Sequence, residues 1–358
     1  MEIKELLNIT KEKDASDLHL NIGIPPVLRI NGKLIKMDFP ELTPEITHEM
    51  IYSILNEKQK SNFEKYGELD LSYELNNVAR FRINVFKHRR GEGAAFRLVP
   101  EKIKTLSELG LPSILSDFTE KDKGLVLVTG PTGSGKSTTI AALIDIINKK
   151  KYVNIITIED PIEFIHSHRN CLISQREIGS HTKSFASALR NALREDPDVI
   201  LVGEMRDLET ISMALTAAET GHLVFSTLHT ISAAETVERI IDVFPPHQQN
   251  QVRMQLAGSL QGIIAQTLLP TLDDAGRIAA LEILVANPAI RNLIREGKTH
   301  QIPSTIQISK KDGMQSLDQS LKDLVMEDKI NREDALKKAI DKKAFMEHHY
   351  SYWNVEKG

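Results

Sequence analysis

The segment Gly130-Pro131-Thr132-Gly133-Ser134-Gly135-Lys136-Ser137 constrains this chain more than any other, because it fits the spacing G-x-x-x-x-G-K-[ST]. Before it, Leu125-Val126-Leu127-Val128-Thr129 is a short apolar run of β-branched character and reads as a buried strand. After it, Thr138 to Lys149 carries Ile140, Leu143, Ile144 and Ile147 on one helical face. Strand, glycine loop and helix together give the pattern a mechanism. The glycines let backbone N–H groups close around phosphate oxygens, and the helix start adds partial positive charge. Lys136 can reach the β- and γ-phosphates, and the Ser137 hydroxyl can ligate Mg²⁺, with Thr138 directly behind it. A chance match in a chain of this length is on the order of one per cent from average residue usage. Nucleotide binding is therefore expected.

The chain has 358 residues, which is room for two domains with a core each. Its 45 basic and 49 acidic residues leave a net charge of −4, which weighs against a nucleic-acid motor. One cysteine, Cys171, permits neither an intrachain disulfide nor a Cys-based zinc site, as suits a reducing cytosol. The start, Met1-Glu2-Ile3-Lys4-Glu5, does not read as a signal peptide, and no apolar run approaches the ~20 residues that span a bilayer. A soluble cytoplasmic protein is expected, reaching a membrane only through a partner.

Residues 1–99 read as a small α+β domain. Ile3, Leu6 and Leu7 suggest a first helix, Ser16 to Leu20 a strand, and Asn31-Gly32 the turn of a hairpin. Thr43 to Phe63 reads as one helix, with Pro44 behind a Thr cap. Leu69–Leu75, Ala79–Phe86 and Ala94–Val99 read as strands, with Arg80 and Arg82 on one face of the second and Arg97 in the third. Residues 100–116, with Pro100, Gly110 and Pro112, read as a linker. The larger domain, 117–358, has strands at 125–129, 153–158, 199–202 and 223–227 alternating with helical stretches, which implies an α/β fold with a parallel sheet. From 243 onward the pattern reads as helical, and the end, from about 342 to 358, as loosely held.

Ligands of an open parallel sheet sit beyond the carboxyl ends of its strands. Here one strand ends in the glycine loop and the next in Glu159-Asp160-Pro161-Ile162-Glu163. The third ends in Gly203-Glu204, and the fourth is bracketed by His222 and His229. Such a set describes a site for ATP hydrolysis, which needs charge neutralisation, an oriented water and exclusion of solvent. Glu204 is placed as the acid that holds Mg²⁺, and Glu163 is the candidate for the base or water-orienting group. Glu159 can exchange roles with Glu163, Glu204 can itself be the base, and the sequence does not rank them. His229 is a candidate sensor of the γ-phosphate, with His222 supporting its loop. Arg82 and Arg97 are candidates for arginines lent from another domain or subunit, and Arg190 and Arg194 are weaker ones.

These residues together resemble the type IV pilus retraction ATPases, the twitching-motility group of the secretion-ATPase superfamily. The resemblance runs through Ala15 to Leu20 with Pro25-Pro26, the phosphate loop, the acidic box 158–163, the run ending at Glu204, and the histidine box 220–229. Its most specific part is Ala289 to Lys298, which is similar to the family's retraction signature and includes Arg291, Asn292 and Arg295. As a plain helix this stretch would turn Ile290, Leu293 and Ile294 inward and Arg291 and Arg295 outward. The resemblance implies a RecA-like ATPase domain preceded by a smaller PAS-like domain, and ATP and Mg²⁺ as cofactors. It further implies a homohexameric ring in which Arg82 and Arg97 close over the phosphates by a hinge in 100–116. It implies a platform protein at the pilus base as partner, and a place at the inner membrane's cytoplasmic face. Relatives for pilus extension or type II secretion are longer, many with a four-cysteine zinc module that one cysteine cannot supply. An accessory paralogue shares all the boxes. A nucleic-acid translocase would need basic pore loops, none of which is evident, and a dead scaffold would not keep Lys136, Ser137, Glu163 and Glu204.

Overall fold

The computed structural model describes residues 2–30, 32–75, 78–100, 102–273, 276–343 and 345. Asn31 of the expected turn and most of the 342–358 segment lie outside these residues. The chain divides into two compact units, Met1–Lys102 with Glu163–Ile165, and Ile103–Ile162 with the residues from His166 onward. The segment read as a linker is largely part of the second unit, because Leu106, Leu111 and Leu115 are buried in that unit's core.

In the first unit the elements run α1 (Ile3–Glu12), β1 (Asp17–Leu20), β2 (Val27–Ile30), β3 (Lys33–Lys36), α2 (Pro44–Tyr52), α3 (Glu57–Tyr66), β4 (Glu68–Leu75), β5 (Ala79–His88) and β6 (Gly91–Val99). The six strands form an antiparallel sheet in the order β3-β2-β1-β6-β5-β4. Alternation sets its two faces: Phe81, Ile83 and Val85 are buried in a core with Leu18, Leu20 and Phe96, while Arg80 and Arg82 point the other way. The single helix expected over 43–63 is two. Thr43 caps α2 by accepting from Ile46 N, and Asn56 with Gln59 makes a reciprocal capping box that starts α3 afresh.

In the second unit follow β7 (Gly124–Thr129), α4 (Lys136–Lys150), β8 (Asn154–Glu159), β9 (Leu172–Glu177), α5 (Phe185–Ala192), β10 (Val199–Val202), α6 (Leu208–Glu219), β11 (Leu223–Leu228), α7 (Ala233–Asp242), α8 (Pro246–Ser259), β12 (Leu260–Pro270), β13 (Arg277–Val285), α9 (Pro288–Arg295), α10 (Ile302–Ile308), α11 (Leu317–Met326) and α12 (Arg332–Lys338). Their sheet has the order β13-β12-β7-β11-β10-β8-β9, all parallel except β13. Every residue of β7 and β11 is buried, so these strands read as continuous apolar runs rather than alternating ones.

Two strands stand where helix was expected. The run Leu260 to Leu269 is buried nearly throughout, and a short continuous apolar run has no period that separates strand from helix. Pairing decides the matter: β12 lies parallel to β7 and forms an antiparallel hairpin with β13. The strand β9 also went unread, because Leu172–Glu177 is half polar at the sheet's edge.

Candidate nucleotide site

The phosphate loop joins β7 to α4 at the carboxyl edge of the parallel sheet. Gly130, Gly133 and Gly135 all have positive φ, a region open to glycine at little cost. At Gly130 space is also decisive, since a Cβ there would stand 2.2 Å from the backbone oxygen of Gln266. At Gly133 a Cβ would meet nothing within 4 Å, so the outer side of the loop is open. Pro131, Thr132 and Ser137 are exposed beside it and Thr138 is half-buried.

The start of α4 carries no side-chain cap, and the buried Ser134 hydroxyl has no hydrogen-bond partner among the described residues. An open helix start with an orphaned donor and an ammonium beside it fits an anion. Lys136 Nζ donates to the carbonyls of Gly130 (2.8 Å) and Pro131 (3.1 Å), which folds it over its own loop. Burial lowers the Lys136 pKa, and the charge of Glu204 opposes that shift.

Glu204 follows β10 by two residues. One of its oxygens accepts from Arg206 Nε and lies 3.1 Å from His229 Nε2. His229 is the first residue after β11, and the Thr227 hydroxyl donates to the Gly203 carbonyl at 2.5 Å. The loops after β10 and β11 are thus tied together beside the phosphate loop. A serine hydroxyl on α4 and one carboxylate suit Mg²⁺, which binds phosphoryl oxygens and keeps waters rather than needing a full protein cage. No group of three or more His, Cys, Asp or Glu suited to a metal occurs among the described residues.

The other candidates divide. Glu159 ends β8 and is buried, accepting from Thr157 Oγ1 (2.7 Å) and Gln175 Nε2 (3.2 Å). Glu163 is exposed and groups with the first unit. His222 is not brought to the site. It precedes β11, its backbone carbonyl accepts from Gly124 N, and its ring nitrogen lies 2.9 Å from Ala217 O. Residues before and after a strand stand at its opposite ends, here separated by six residues, or roughly 20 Å. Arg194 is at that same amino edge, beyond α5 and two residues from Asp196, whose carbonyl accepts from Asn154 at the start of β8. Arg190 pairs with Glu209.

In the first unit Arg82 stands directly across from Arg97 in the β5·β6 ladder, and Arg97 Nε donates to Asp17 Oδ1 at 2.9 Å. Burial alone would raise the Asp17 pKa, but hydrogen bonds from Ser16 and Arg97 and the charge of Arg97 lower it. On α9 the expectation for Arg291 is corrected. It is half-buried, its Nη1 donating to the carbonyls of Ala257 (2.6 Å) and Gly258 (2.9 Å), which closes the end of α8. Those carbonyls have no intrahelical donor, and a cation is favoured there. Asn292 donates to Glu296 at 2.8 Å, and Asn292 and Arg295 are exposed.

Sequence reading missed two residues of this edge. Gln266 of β12 is buried, donates to Ser134 O (2.6 Å) and accepts from Thr139 Oγ1 (2.8 Å), so it braces the loop from behind. The available signal was an amide in the middle of a largely apolar run. Arg206 was adjacent to Glu204 in sequence but belonged to no motif.

A strand, glycine loop and helix at the edge of a parallel sheet, with Lys136, Glu204 and His229 gathered there, define a phosphate-loop nucleotide-binding ATPase fold. The family model described as Type II/IV secretion system protein matches residues 6–337, and the chain belongs to that family. It is 53% identical over 339 residues to the type IV pilus retraction ATPase PilT of Pseudomonas aeruginosa, covering 95% of this chain and 98% of that one. It is 54% identical over 314 residues to a twitching motility protein of Neisseria gonorrhoeae, covering 88% and 84%. The crystal structure of the pilus retraction motor PilT with bound ADP superposes with a TM-score of 0.90 at 50% identity, over 96% of this chain and 98% of that one. No helix among the described residues is long and apolar enough to cross a membrane.

Proposed function

We propose that this chain hydrolyses ATP with Mg²⁺ as a subunit of a homohexameric ring motor that retracts a type IV pilus. The observation that carries the hydrolytic part is the meeting of Glu204 with His229 beside the open phosphate loop and Lys136. The retraction part rests on the likeness to pilus retraction ATPases over nearly the whole length. The loop N–H groups and Lys136 bind the β- and γ-phosphates. Ser137 and Glu204 would hold Mg²⁺, whose chemistry there would be neutralisation of phosphate charge. His229, linked to Glu204, reports whether the γ-phosphate is present. Glu163 is the proposed base, with Glu159 or Glu204 as the alternatives, and Arg82 and Arg97 are the proposed arginines of the reaction. The exposed side of α9, with Asn292 and Arg295, is the proposed face toward the platform protein at the inner membrane, where the ring would sit on the cytoplasmic side. Nucleic acid is not a partner in this reading.

The test is phosphate release by the purified chain. Lys136→Ala and Glu204→Ala are expected to lower turnover at least about 100-fold, the scale on which loss of a preorganised charge-stabilising group acts. Chelation of Mg²⁺ should do the same, and DNA at physiological salt should not stimulate. Full turnover in either variant would remove the site assignment, whereas hydrolysis without pilus retraction in cells would leave the ATPase and remove the motor.

A further inference from the structure

Glu282 lies within β13, across from Ala265 of β12, and is only 5% exposed. A buried carboxylate is expensive unless something accepts its charge or its hydrogen-bonding capacity. Here Oε1 accepts from Ala233 N at 2.6 Å. Ala233 is the first residue of α7, where the N–H has no intrahelical acceptor and negative charge is favoured. Burial raises the Glu282 pKa, the hydrogen bond from Ala233 opposes the shift, and the charge of Asp318 adds to it.

Only four residues, His229–Ser232, separate β11 from α7. At the near end Leu228 is held in register with Thr129. Within the loop and helix, Ser232 Oγ accepts from Glu235 N (3.2 Å), and Glu235 accepts from Ile231 N (3.0 Å). The hydroxyls of Thr230 and Thr236 lie 2.7 Å apart. These contacts give the loop its shape. The bond to Glu282 ties the helix start, and with it the far end of the loop, to a strand of the sheet.

We propose that Glu282 is a positioning residue for hydrolysis: by holding the start of α7 it fixes the loop that sets His229 against Glu204. The inference rests on the ATPase reading above. A short loop clamped at both ends leaves its first side chain few places to go, and a loop released at one end lets His229 leave Glu204.

The test compares Glu282→Met, which keeps the volume and removes the acceptor, with Glu282→Gln, whose amide oxygen can still accept from Ala233. Glu282→Met is expected to lower kcat about tenfold while ADP affinity changes less than twofold, because the phosphate loop is untouched. Glu282→Gln should keep at least half of the wild-type kcat. In a His229→Ala background Glu282→Met should add less than a twofold loss. Without nucleotide, amide exchange across 229–236 should be faster in Glu282→Met. An equal tenfold loss in the His229→Ala background, a Glu282→Gln variant as slow as Glu282→Met, or unchanged exchange would each overturn the proposal. Should Glu282→Met fail to fold, Glu282→Asp, one methylene shorter, is held to the same outcomes. If the wild type does not hydrolyse ATP the functional reading fails, and the exchange measurement still decides the role of Glu282.

Discussion

The side-chain amide of Gln266 donates to the Ser134 carbonyl at 2.6 Å, joining β12 to a loop 132 residues earlier in the chain. Its other end accepts from Thr139, so one residue spans the phosphate loop and the first turns of α4. The loop keeps its curvature because glycines permit it and because Gln266 stands behind it.

Replacing Gln266 by Leu is therefore expected to cost about 1–3 kcal/mol of stability, since a buried carbonyl and hydroxyl lose their partner. The loop would also relax, and ADP should bind about tenfold more weakly, as a comparable free energy is lost from the bound geometry. Urea unfolding and calorimetric titration with ADP measure the two effects. Unchanged ADP affinity would leave Gln266 with a packing role alone.

Arg291 and Arg295 are one helical turn apart on α9 yet face different surroundings. Arg291→Ala is expected to destabilise the second unit by about 1–2 kcal/mol by uncapping α8, because hydrogen bonds from a charged donor exceed the usual neutral ones. Arg295→Ala, on an exposed side chain, should stay within about 0.5 kcal/mol. Denaturant midpoints for both variants check this. A partner-binding defect is cleanly interpretable only for Arg295, and a stable Arg291→Ala would return Arg291 to the surface.

His166 is buried, its Nδ1 has no hydrogen-bond partner among the described residues, and burial lowers its pKa from 6.5 to about 4, with Asp145 opposing. The folded pKa lies below the unfolded one, so this contribution is complete above about 6.5 and is lost as pH falls toward about 4. Across that window the wild type should lose up to about 1.4 kcal/mol per pH unit from this group. His166→Leu should lack that component in stability measured from pH 7 to 4.5. A parallel pH profile for the two proteins would show that another group governs the acid limb.

What the residues determine locally was readable in advance. The strand, glycine loop and start of α4 are contiguous, and their chemistry depends on φ freedom and helix-end N–H groups that neighbours in sequence supply. The carboxyl-end positions of Glu204 and His229 followed from the alternation of strand and helix alone. Tertiary structure decided the rest, because the deciding partners are remote. Leu260–Leu269 becomes a strand only by pairing with β7 and β13, and Gln266 meets Ser134 and Thr139 only through that pairing. His222 and His229 flank one strand in sequence, and only an extended strand between them sends them to opposite edges. Arg291 sits where a helical wheel turns it to solvent, and the open carbonyls at the end of α8 draw it in. Local stereochemistry is written residue by residue, whereas a buried polar group's partner is chosen by whichever distant segment the fold brings beside it.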